Sequence, residues 1–147
     1  MLTKMLDEAQ VQRFQNYIDR AERFVLMAHV SPDGDAIGAS LGMYHFLTEI
    51  GKEQVDVIVP NEFPAFLKWM PGTKDILVYE RYPEYAQQLI SEADVLFNMD
   101  YNEPKRAGKL APFIEAAEGR KVMIDHHPNP DDFCRLVISY PIMSSTS

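Results

Sequence analysis

Apolar residues follow two rhythms along this chain, and the rhythms alternate. From about Asp7 to Ala21, Val11, Phe14, Tyr17 and Ile18 recur at spacings of three and four, which predicts a helix with one apolar face. Phe24-Val25-Leu26-Met27-Ala28-His29-Val30 is a short, nearly unbroken apolar run and predicts a buried strand. Ser31-Pro32-Asp33-Gly34-Asp35 interrupts it with turn chemistry. A helix is expected over about Ala36–Ile50, stopped at Gly51. The alternation continues with a strand over Gln54–Val59, a short helical piece over Phe63–Met70 and a strand over Asp75–Tyr79. A helix over Pro83–Ser91 opens on its proline. Then come a strand over Asp94–Asp100, a helix over Ala107–Ala117, and strands over Lys121–Asp125 and Cys134–Tyr140.

Strands alternating with helices imply an α/β fold with a mostly parallel sheet. Ligands of such sheets sit outside the carboxyl ends of the strands. Gly34, Gly38 and Gly42, four apart, share one side of the second helix. Each costs roughly 1 kcal/mol against Ala, so close packing on sheet or ligand is the expected compensation. The final residues, Pro141 to Ser147, resemble a loop and a helix N-cap cluster with no helix following, as in a fragment of a longer protein.

Composition narrows the function. The 147 residues suffice for one domain, and 46% hydrophobic with 24% charged residues is an ordinary globular balance. A net charge of −8 argues against holding nucleic acid through a broad basic surface. A phosphate ester would need positive charge from elsewhere, and bound metal ions supply it. The single cysteine, Cys134, excludes an intramolecular disulfide and reads as a small buried hydrophobe. With no membrane-length apolar run and no signal peptide, a cytoplasmic location is expected.

The polar residues cluster at the strand ends. The first strand delivers His29, then Asp33 and Asp35; a later one delivers Asp100; another delivers Asp125, His126 and His127. Taken singly, each has a plainer reading: Asp33 and Asp35 as turn and helix cap, His29 as a satisfied core histidine, Asp100 as a loop cap. Taken together, they fall on one edge of the sheet. Mixed carboxylate and imidazole suits a divalent metal, Mn²⁺ first, with Mg²⁺ or Zn²⁺ as alternatives. Crowded carboxylates need a counter-charge, and two ions roughly 3.5–4 Å apart would provide it.

These residues carry a family resemblance. His29-Val30-Ser31-Pro32-Asp33-Gly34-Asp35-Ala36-Ile37-Gly38 matches the first motif of the DHH phosphoesterases, Asp125-His126-His127 resembles the motif that names them, and Ser144-Ser145-Thr146 resembles a downstream SST stretch. Asp100 stands where the family has an intermediate aspartate. Gly34, between the two aspartates of the first motif, separates the chain from the family-II inorganic pyrophosphatases, which usually carry Thr or Ser there. The chain is most similar to the branch of bifunctional oligoribonucleases and phosphoadenosine-phosphate phosphatases.

The resemblance implies a Rossmann-like, mostly parallel sheet flanked by helices, with residues 1–147 forming the N-terminal catalytic domain. His29 and Asp33 would bind one Mn²⁺, Asp35 and His126 the other, and Asp100 both. His127 would contact the scissile phosphate, and Asp125 would orient an imidazole. A hydroxide between the metals would attack phosphorus. Arg106 is a candidate phosphate clamp, against the plainer reading of an exposed helix-start residue. The expected substrates are short oligoribonucleotides or a nucleotide phosphate such as 3′,5′-phosphoadenosine phosphate. No membrane partner is expected, and a homodimer is left open. A cyclic or linear dinucleotide phosphodiesterase and a non-catalytic metal- or nucleotide-binding module are the alternatives. The family also has a further bridging aspartate and a C-terminal substrate-binding domain beyond its DHH motif, for which no residue here stands. The 147 residues alone are therefore expected to be nearly inactive.

Overall fold

The computed structural model describes residues 7–127, 133–134, 136–139 and 145–146. Six parallel strands form one sheet in the order β3-β2-β1-β4-β5-β6. The strands are β1 (Arg23–Met27), β2 (Gln54–Val59), β3 (Leu77–Val78), β4 (Val95–Met99), β5 (Arg120–Asp125) and β6 (Leu136–Ser139). The helices are α1 (Glu8–Arg20), α2 (Gly34–Glu49), α3 (Pro83–Glu92) and α4 (Ala111–Ala116). The chain winds outward from β1 to β3, returns to place β4 on the other side of β1, and winds outward again. This reversal makes the crevice between β1 and β4 the topological switch point, where α/β sheets bind ligands.

The unbroken apolar run of β1 is explained by cover on both faces. Phe24 and Leu26 pack with Ile18 of α1 and with Ala39 and Leu47 of α2. Val25 and Met27 alternate to the other face, against Ala86 and Ile90 of α3 and Ile114 of α4. Asp7 and Gln10 close a capping box at the start of α1, and Phe14 meets Phe97 edge-on at 5.9 Å. Val11, expected on the buried face, is 40% exposed. Asp94 fastens the opposite end of the sheet, accepting hydrogen bonds from the N–H groups of Glu22 and Arg23, both at 2.9 Å. The N–H groups of Arg23 and Glu22 thereby hold its carboxyl below the usual range.

Several expected elements are shorter than their apolar runs. β1 stops at Met27, so Ala28, His29 and Val30 lie beyond the ladder. Residues 63–70 form only a 3-10 turn over Ala65–Leu67, because the stretch lies on the sheet as a loop through Phe63 and Leu67. The Asp75–Tyr79 strand shrinks to Leu77–Val78 after a 3-10 turn. The single helix expected over Ala107–Ala117 is a 3-10 segment, Pro104–Leu110, broken at Gly108 (φ 57°, ψ −123°) before α4. Cys134 is buried and unbridged but precedes β6. At two of the α2 glycines no tight packing of helix on sheet is seen. A Cβ on Gly42 would meet nothing within 4 Å, and one on Gly34 only Leu67 at 3.8 Å. Residues 140–144 and 147, read from the sequence as a strand end and a cap cluster, lie outside the described residues.

Among the described residues, no helix is long and apolar enough to cross a membrane.

Candidate metal centre

Three chain segments leave the carboxyl ends of β1, β4 and β5 and turn sharply. Beyond β1, Ser31 takes a left-handed conformation (φ 54°), with its N–H donating to Asn61 Oδ1 at 2.7 Å. Beyond β4, Asp100 itself is left-handed (φ 64°). Few residues other than glycine adopt that conformation, and aspartate tolerates it better than most. Its N–H still donates to Ile124 O at 2.9 Å, so Asp100 leaves the ladder with its backbone satisfied. β5 runs on to Asp125, and His126 and His127 follow directly.

These turns bring His29, Asp33, Asp35, Asp100 and His126 together. Asp100 lies at the centre, 2% exposed. Its Oδ2 is 3.5 Å from His29 Nε2, and its Oδ1 is 3.3 Å from His126 Nε2. Each oxygen of one carboxylate thus serves a different imidazole. Asp33 Oδ1 is 3.7 Å from His29 Nε2, and Asp35 Oδ2 is 3.2 Å from His126 Nε2. Two clusters result, His29/Asp33/Asp100 and His126/Asp35/Asp100, sharing Asp100. Asp33 also meets the plainer reading weighed for it, because its Oδ1 caps α2 by accepting from Ala36 N at 2.9 Å.

The donors fit a pair of divalent ions. Bonds of about 2.1 Å to first-row metals place neighbouring ligands of one ion about 3.0–3.4 Å apart, close to the 3.2–3.7 Å observed. The tautomer at His29 also fits. Its Nδ1 lies 2.8 Å from the Val30 carbonyl; a carbonyl only accepts, so Nδ1 holds the proton and Nε2 presents a lone pair to the carboxylates. That arrangement calls for a cation between them. Hydrogen bonding to Asp100 raises the His29 pKa above its ordinary value, against the lowering effect of burial. A metal at Nε2 would compete with a proton there, so its binding would weaken as pH falls.

His127 is held differently. Its Nδ1 donates to Asp125 Oδ1 at 2.6 Å, and its backbone N–H donates to Asp125 Oδ2 at 3.0 Å. The imidazole that Asp125 orients is therefore that of His127, with its proton fixed on Nδ1. The His127 side chain is 47% exposed while that of Asp125 is fully buried. His127 also lies within ligand reach of Asp100 and His126. Arg106, with His29, Asp33, Asp100, Asn102 and His127, lines a cleft of about 190 Å³. Its side chain is 65% exposed and its Nε is 3.3 Å from Glu103.

Some contributing residues carried no sequence signal of their own. Asn98 and Tyr101 are buried polar residues on either side of the Asp100 turn, the Tyr101 hydroxyl donating to Asn98 Oδ1. Asn98 Nδ2 donates onward to Val122 O at 3.1 Å. Asn102 Nδ2 donates to His127 O at 3.3 Å. Ser145 and Thr146, by contrast, belong to the stretch that resembles the family's SST, and they donate to Asp35 and Asp100.

Comparison with known proteins settles the kinship. The N-terminal domain of the DHH family matches residues 23–147. The chain belongs to the DHH family. It is 34% identical over 122 residues to the bifunctional oligoribonuclease and PAP phosphatase NrnA of Thermus thermophilus, covering 83% of this chain and 33% of that protein. It is 28% identical over 141 residues to the cyclic-di-AMP phosphodiesterase GdpP of Bacillus subtilis, covering 88% and 20%. A crystal structure of an exopolyphosphatase-related protein from Bacteroides fragilis superposes with a TM-score of 0.96 at 54% identity, covering 99% of this chain and 42% of that one. The chain therefore spans a third or less of these two curated relatives.

Proposed function

We propose that this DHH chain carries the metal centre of a phosphoesterase that hydrolyses short oligoribonucleotides and 3′,5′-phosphoadenosine phosphate. The observation that carries the reading is Asp100, one buried carboxylate whose two oxygens face two separate His/Asp pairs. His29 and Asp33 would hold one divalent ion, Asp35 and His126 the other, and Asp100 both, with Mn²⁺ the leading choice. Bound there, the ions would supply Lewis acidity to the phosphate oxygens and lower the pKa of a water near them.

The remaining work belongs to the chain. His127, with Nδ1 committed to Asp125, offers Nε2 to a phosphate oxygen and, when protonated, stabilises the charge that develops there. Asp125 fixes the ring, through the Nδ1–H donated to its Oδ1. Arg106 stands at the rim of the same cleft, placed to meet a further phosphate of the substrate. The likeness to NrnA supports the oligoribonucleotide and PAP substrates. The likeness to GdpP supports a second reading, a phosphodiesterase acting on cyclic or linear dinucleotides.

A substrate panel separates them. With Mn²⁺ present, the whole protein is expected to release mononucleotides from di- to pentaribonucleotides and phosphate from phosphoadenosine phosphate. No turnover of either, with hydrolysis of cyclic di-AMP or pyrophosphate instead, would sink the first reading.

A further inference from the structure

Ser145 and Thr146 lie 110 and 111 residues downstream of Asp35, yet both reach it. The Ser145 hydroxyl donates to Asp35 Oδ1 at 2.6 Å, and the Thr146 N–H donates to Asp35 Oδ2 at 2.9 Å. The Thr146 hydroxyl donates to Asp100 Oδ1 at 2.8 Å. Two adjacent residues thus hold Asp35, in the first turn of α2, and Asp100, just past β4, in one arrangement. These are the two carboxylates that meet at His126 Nε2, at 3.2 and 3.3 Å.

We propose that Ser145 and Thr146 are positioning residues of the metal centre, holding Asp35 and Asp100 in a ligand-ready geometry before any ion binds. The proposal rests on the metal-centre reading above. Without a cation, two neighbouring carboxylates repel and would rotate apart. Three donors from one short segment oppose that rotation, as the outer partners of metal ligands generally do. The two residues do different things. Ser145 acts on Asp35 alone, through Oδ1, while Asp35 Oδ2 is the oxygen 3.2 Å from His126 Nε2. Thr146 ties Asp35 to Asp100, the carboxylate shared by both clusters, so its hydroxyl bears on both ions.

The test is calorimetric titration of Mn²⁺ into the metal-free full chain, alongside Thr146→Val, Thr146→Ser and Ser145→Ala. The wild type is expected to bind two ions. Thr146→Val is expected to weaken both by roughly 10- to 100-fold, with Thr146→Ser restoring them because it keeps the hydroxyl. Ser145→Ala is expected to weaken one ion and spare the other. Melting temperatures in chelator provide the control, since a purely structural role would lower them without changing affinity in the folded protein. If Thr146→Val does not fold, Ser145→Ala decides: two ions bound with wild-type affinity overturns the proposal. A wild type that binds two ions, with variants that match it, overturns the proposal and leaves the metal centre standing. A wild type that binds none overturns both.

Discussion

Beneath Asp100, the hydroxyl of Tyr101 donates to the side-chain oxygen of Asn98, and both residues are buried. Asn98 spends its amide hydrogens on Leu96 O, Val122 O and Cys134 Sγ. The oxygen therefore depends on Tyr101. Burial pushes the Tyr101 phenol well above its ordinary range, with the Cys134 thiol adding to the effect, so the hydroxyl stays a donor. Tyr101→Phe removes that donor and keeps the ring. It is expected to cost about 1–3 kcal/mol, the usual penalty for an unsatisfied buried acceptor, as measured by urea unfolding. A loss below a few tenths of a kcal/mol would mean the Asn98 oxygen finds another partner. At this scale the sequence was informative where chemistry repeats at strand ends: His29, Asp33, Asp35, Asp100 and His126 do converge. It was silent on Asn98 and Tyr101, because a polar residue inside an apolar run declares neither its burial nor its partner until the sheet is built.

Elements position these side chains through their breaks as much as through their lengths. Gly108 interrupts the segment before α4 at φ 57° and ψ −123°, a conformation that L-residues with a Cβ rarely adopt. A Cβ there would stand 2.5 Å from Val30 Cγ2. Val30 is a link to the metal centre: its N–H donates to Arg106 O at 2.8 Å, and its carbonyl accepts from His29 Nδ1. Gly108→Ala is expected to destabilise the fold by about 1–3 kcal/mol through backbone strain. It should also weaken Mn²⁺ binding, because relieving the clash displaces Val30 and turns the His29 ring. Unfolding and metal titration on the same variant test the two effects; full affinity in a destabilised protein would show that the 104–110 segment does not govern His29. The sequence pattern suggested an uninterrupted helix here because Ala107, Leu110 and Ile114 keep helical spacing and all are buried. Periodicity reports the buried face and does not register a single φ. The shortness of β3 escaped for a related reason, since Asp75 to Tyr79 reads as a strand whether or not its backbone continues the ladder.

Over the whole molecule, the order of the strands does what no single residue can. Placing β4 beside β1 brings Asp100 between His29 and His126, although about 70 and 26 positions separate them in the chain. Alternating strands and helices made the parallel sheet legible, and the conserved direction of parallel strands put every candidate ligand on one edge. The crossover itself could not be read from the pattern, which fixes neither strand order nor neighbours. The cost of this convergence is a set of carboxylates packed together in a chain of net charge −8. Metal binding should therefore register as stability of the entire domain, since the ligands come from both halves of the sheet and unfold with it. At a free Mn²⁺ concentration 100 times Kd, one site adds about 2.7 kcal/mol. For a domain of this size that corresponds to a rise of roughly 5–10 °C in Tm, reversed by chelator. Asp100→Asn keeps the size of the side chain and removes the charge that both ions share. It is expected to abolish most of the Mn²⁺-induced rise, read against the variant's own melting temperature in chelator. A variant that still gains the full wild-type increment would place the ions elsewhere, and a wild type that gains nothing from Mn²⁺, Mg²⁺ or Zn²⁺ would remove the metal centre altogether.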